Sequence, residues 1–91
     1  MPLHAVGGTE IIFDWLARTP DTERQSHLPN WVAAAARDPE HFTTHQIDRI
    51  IDGKKRGHMS VSVLHEAGVV ITFYRGGPPV PSIIILSIED L

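Results

Sequence analysis

Hydrophobic positions change period along this chain, and the changes divide it into helical and extended stretches. Residues 1–8 show no clear period and end in Gly7-Gly8, which reads as an extended arm or a short edge strand. From residue 9 to 52 the spacing is helical. Thr9 is the expected cap of a first helix, with Glu10 at its positive end, and Ile11, Ile12, Trp15 and Leu16 share one face up to Thr19-Pro20. Pro20 then opens a second helix capped by Thr19, with Asp21 and Glu23 in its first turn. Leu28, Trp31, Val32, Ala35 and Ala36 keep helical spacing, while Pro29 predicts a kink or a fresh start. A short third helix is predicted over 44–52. Thr43 and Gln46 form its capping-box pair, Ile47, Ile50 and Ile51 its buried stripe, and Gly53 its left-handed stop.

From residue 58 the period is two. Met59, Val61 and Val63 alternate with Ser60, Ser62 and Leu64, and Val69, Ile71 and Phe73 alternate with Val70, Thr72 and Tyr74. A three-residue connection, Glu66-Ala67-Gly68, pairs His65 with Val69, Val63 with Ile71 and Val61 with Phe73, so that one face is apolar throughout. Residues 76–81, rich in glycine and proline, stiffen the connection to a third strand, Ser82 to Ile88. That strand contains Ile83-Ile84-Ile85-Leu86, apolar on both faces, and such a run asks for cover on both. Ile84, Leu86 and Ile88 are assigned to the helix-covered face. Ile83 and Ile85 are assigned to the other, beside Leu64, Val70 and Tyr74, and these five are the candidate partner-binding residues. Cover comes either from the N-terminal arm, through Leu3 and Val6, or from a partner.

The expected fold class is α+β: two to three N-terminal helices packed on one face of a C-terminal three-stranded antiparallel sheet. It forms one domain over 1–91, with an arm at 1–8, a helical half at 9–52 and a β-meander at 58–88.

Charge sharpens this division. The chain carries a net −3, but residues 1–52 hold four basic and eight acidic side chains, and residues 53–91 hold four and three. An acidic helical half repels phosphate backbones and steers toward a basic protein partner. The absence of cysteine excludes disulfides and thiolate chemistry and fits a cytoplasmic location. No segment reads as a membrane span, and the opening Met1-Pro2-Leu3-His4 does not read as a signal peptide.

Candidate chemistry is confined to a few positions. His41 and His45 have the spacing of helical metal ligands, but a helix starting between them separates their faces, and no metal or cofactor is expected. Lys54, Lys55, Arg56 and His58 make the one concentrated basic patch, which Tyr74 and Arg75 extend. Lys54, Arg56, His58 and Arg75 are therefore the candidate catalytic set, cations for a scissile phosphate and an imidazole for proton transfer. The order of helices and antiparallel sheet over about residues 20–88 resembles that of the RelE/ParE-type bacterial toxins, which implies a small ribonuclease. The chain departs from that pattern in its acidic balance, in lacking a clear first strand and in its proline-rich last connection. A winged-helix reading pairs helix 44–52 with the hairpin 59–75, although Asp48 and Asp52 suit a major groove poorly.

The leading expectation is a small regulatory module of the inhibitor, immunity or antitoxin kind. It acts by protein association or as a homodimer. Ribonuclease and DNA-binding functions stand as alternatives.

Overall fold

A computed structural model describes residues 4–76 and 81–91. Its elements are β1 (Ala5–Gly7), α1 (Thr9–Ala17), α2 (Thr22–Arg37), β2 (His45–Ile51), β3 (Lys54–Leu64), β4 (Val69–Gly76) and β5 (Ser82–Asp90). The α+β character follows the change of period, but the sheet differs from expectation. It has five strands where three antiparallel ones were expected, and it is mixed: the order is β1-β5-β4-β3-β2, with β1 parallel to β5. The arm supplies β1 as a short edge strand, so a first strand does precede the helices.

Gly8 joins β1 to α1 as its N-cap at φ 74, and a Cβ there would collide with the Ile85 carbonyl. Only glycine tolerates both conditions. The cap of α2 is Asp21, not Thr19; its carboxylate accepts from the backbone N–H groups of Glu23 and Arg24. Pro29 neither ends nor restarts α2, which runs unbroken from Thr22 to Arg37. Because Pro29 is exposed, its ring sits on the solvent side of the helix.

The third helix does not exist. Residues 45–51 form β2, and Asp52-Gly53 is a two-residue turn with both φ values positive, 52 and 74, between the paired Ile51 and Lys54. Asp-Gly with this backbone is the turn that matches strand twist in a tight hairpin. Thr43, expected as a cap, donates its hydroxyl back to the Pro39 carbonyl, and Thr44 N–H already donates to Val61 O.

The β3–β4 register also differs, by one residue. Ser60 pairs with Phe73, Ser62 with Ile71 and Leu64 with Val69, across the four-residue connection His65–Gly68. A one-residue slip exchanges faces. Ser60, Ser62 and Leu64 therefore lie toward the helices, and Val61 and Val63 lie away from them. The polar side chain is accommodated because Trp31 Nε1 donates to Ser62 Oγ at 3.1 Å in the core. A buried indole N–H without that acceptor would cost about 1–3 kcal/mol.

Strand β5 corrects the last assignment. Thr72 pairs with Ser87 and Phe73 with Ile85, leaving Leu86 as an unpaired bulge residue. The bulge resets the alternation, so Ile83, Ile85 and Ile88 all reach the core, at 0%, 1% and 3% exposure. They pack there with Trp15, Leu28, Trp31, Ala35, Val69, Ile71 and Phe73. Arg24 fastens the assembly: it lies over Trp15 and donates to the Ala67 carbonyl and the Asp90 carboxylate. Among the described residues, the other sheet face carries no helix. Val6 joins the core, not that bare face, and Leu3 lies outside the described residues. No helix among the described residues is long and apolar enough to cross a membrane.

Candidate active site

Strands β2 and β3 continue beyond the helices as a two-stranded ribbon. Its residues 45–58 are exposed except for Arg49, which stacks over Tyr74 at 4.4 Å from the ring centre. Nothing apolar is gained by this extension: Ile50 at its end is 58% exposed. Tight-turn chemistry and strand pairing hold it in place.

Cations concentrate here. Arg49, Lys54, Lys55, Arg56 and Arg75 are five of the eight in the chain, against only Asp48 and Asp52 of the eleven acids. The ribbon end is thus +3. The remainder, with three cations and nine acids, is −6. A polyanion meets an attractive field at one end of the molecule and a repulsive one elsewhere.

At the base of the ribbon, Gln46, Arg56, His58, Ser60, Tyr74 and Arg75 line an open cleft of about 390 Å³. Strand pairing explains the gathering. Ser60 lies opposite Phe73, so the same register carried two residues further sets His58 beside Arg75. Gln46 lies opposite Ser60, and Asp48 lies opposite His58. Between Asp48 and Ile50 the register shifts, because Arg56 and Gly57 together face the single Arg49. Gly57 sits at φ 90 in this bulge, which turns Arg56 toward the cleft.

The Asp48 carboxylate lies 3.4 Å from His58 Nδ1 and 3.3 Å from Lys55 Nζ. The contact sets a carboxylate beside Nδ1, on two side chains that are each about half exposed. The arrangement provides one imidazole, two guanidinium groups and a hydroxyl around a space large enough for a phosphodiester. Guanidinium groups match phosphate oxygens with paired N–H donors.

Of the four candidate catalytic residues, the fold brings Arg56, His58 and Arg75 together. Lys54 stands apart at the ribbon tip, paired with Ile51. The slipped register improved this site: the expected pairing of Val61 with Phe73, carried two residues further, sets Met59 and not His58 opposite Arg75. Asp48, Gln46 and Ser60 were missed. Counting outward from the Asp52-Gly53 turn would have set Asp48 within one position of His58.

The five candidate partner residues divide differently. Ile83 and Ile85 are enclosed by their own chain, and Leu64 packs against the core. Val70 and Tyr74 remain on the helix-free face. His41 lies in the connection before β2, so it shares no element with His45. No three potential ligand side chains gather for a metal among the described residues. The recognition helix of the winged-helix reading has no counterpart, since 45–51 is a strand. No protein-family model, curated protein or solved structure matches this chain.

Proposed function

We propose that this protein binds single-stranded RNA along the ribbon and cleaves it in the cleft. The observation that carries the reading is the convergence of Arg56, Arg75 and His58, with Asp48 beside it, on one open space.

The chemistry is transesterification. His58 Nε2 removes the proton of a ribose 2′-hydroxyl, and the 2′-oxygen attacks the adjacent phosphorus. The bond from phosphorus to the 5′-oxygen breaks, and that oxygen leaves with a proton taken from water. The products are a 2′,3′-cyclic phosphate and a 5′-hydroxyl. The resulting hydroxide neutralises the imidazolium, so protons balance. Arg56 and Arg75 bind the phosphate oxygens as negative charge builds on them. Lys54 and Lys55 supply non-specific attraction to neighbouring phosphates. Deoxyribose lacks the attacking hydroxyl, so DNA of the same sequence binds but is not cut. A chain without cysteine is suited to working in the cytoplasm.

The test is cleavage of a fluorescent single-stranded RNA by the purified protein and by His58→Ala. Removing a general base costs about 100-fold or more in rate. Wild-type protein that leaves RNA intact, or a His58→Ala variant as active as the wild type, would refute the reading.

A further inference from the structure

We infer that the helix-free face of the sheet is an interface with a second copy of this chain. By strand alternation the cleft side chains Gln46, His58, Ser60 and Arg75 lie on the opposite face, so this inference does not depend on the cleavage reading.

Met59, Val63, Val70, Ile84 and Leu86 give this face its apolar character; Leu86 is 40% exposed, while Val61 in their midst is already enclosed at 6%. Gly7 contributes by absence: Ile84 lies against it, and a Cβ there would press on Ile84 Cγ1 at 3.2 Å. An antiparallel sheet open to water on one side normally alternates apolar with polar. Here β3 turns its serines inward and its valines outward, the reverse of what a solvated face requires.

Charge on the same face selects the occupant. Among its described residues, short of the ribbon tip, the fixed charges are Arg49 and Glu89. Arg49 sits on the edge strand β2 toward the ribbon. Glu89 sits on β5 opposite Val70, toward the other end of the strands. They occupy diagonal corners. A twofold axis lying in the interface along the other diagonal brings each Arg49 over Glu89 of the second copy. The strands then cross near a right angle, one of the two common ways that sheets stack.

The rest of the molecule agrees. Stacked sheets lie about 10 Å apart, which leaves the acidic helical layers on the two outer sides. Separated by roughly 30 Å, they exceed three Debye lengths at physiological salt. A strongly basic partner would find its acidic counterpart on the helices and not on this nearly neutral face. About a dozen residues a side is fewer than the 20–30 of a standard interface, so association is expected on the order of micromolar.

Sedimentation velocity over a concentration series tests the inference. The wild type should pass from monomer to dimer, and Val63→Glu should remain monomeric with an unchanged circular dichroism spectrum. Arg49→Glu and Glu89→Arg should each weaken association about tenfold, and the two together should restore it. The charge reversals keep the test decisive if Val63→Glu does not fold. A monomer at every concentration would overturn the inference, including the case where only a different protein binds this face. So would a dimer indifferent to these changes, or a double reversal that restores nothing.

Discussion

The two ends of β3 are built for different purposes. From Ser60 to Val63 the strand lies in the helix-covered part of the sheet, mostly buried; from Lys54 to His58 every residue is exposed. At the covered end, position is dictated by volume: Trp31 meets Phe73 edge-on with ring centres 5.6 Å apart, and Ile71, Ile83 and Ile85 fill the space around them. At the ribbon end, position is dictated by the Asp52-Gly53 turn and by pairing with β2 alone. Substitutions at the first end should therefore change stability, and substitutions at the second should change function while leaving stability almost untouched.

The largest expected effect tests the covered end. Phe73→Ala removes a fully buried ring and should cost about 3–5 kcal/mol, a large share of what a chain this size possesses. Chemical denaturation will show it as a collapse of the midpoint. A midpoint close to wild type would mean that the helices do not depend on this packing.

Next comes the ribbon end. His58→Ala should slow RNA cleavage by about 100-fold or more while the melting temperature stays within roughly 3 °C. Asp48→Asn should slow it less, because the imidazole remains and only its orientation is loosened. An Asp48→Asn loss larger than that of His58→Ala would assign the primary role to the carboxylate instead.

Ser62→Ala probes the boundary between the two kinds of region. It strands the Trp31 N–H and should cost about 1–3 kcal/mol, whereas a serine facing water would cost nearly nothing. This variant distinguishes the observed register from the one-residue alternative that turns Ser62 outward.

The smallest effect on stability is expected from Lys54→Ala with Lys55→Ala, within about 0.5 kcal/mol. Its signature lies elsewhere. The slope of log affinity for single-stranded RNA against log salt should fall by about 1.4, close to 0.7 for each lost phosphate contact. An unchanged slope would remove the ribbon tip from the binding surface.

The same contrast explains what the residues reveal before folding is known. Both helices are legible because their apolar positions repeat at helical spacing and their partners are large: Trp15, Leu28 and Trp31 are all buried. The ribbon was misread because Ile47, Ile50 and Ile51 also have helical spacing, and Gly53 serves a helix stop and a hairpin turn equally well. What separates the two readings is Asp52 before Gly53, with both residues at positive φ. The serines of β3 misled for another reason. Alternation assigns polar residues outward unless a buried donor claims them, and the donor, Trp31, is 31 residues away in the chain. The bulge at Leu86 leaves no local mark, since four consecutive apolar residues fit either phase. The cleft was legible in part: Arg56, His58 and Arg75 stand out as charges beside strand ends, but Asp48 becomes meaningful only once β2 is known to be a strand.

The most direct test of the central claim is a side-by-side rate measurement on one single-stranded RNA, wild type against His58→Ala, with melting curves recorded on the same samples. The account predicts cleavage with cyclic-phosphate ends by the wild type, a loss of about 100-fold or more in the variant, and superimposable melting curves. Equal rates in the two proteins, or a loss of rate accompanied by a loss of fold, would contradict it.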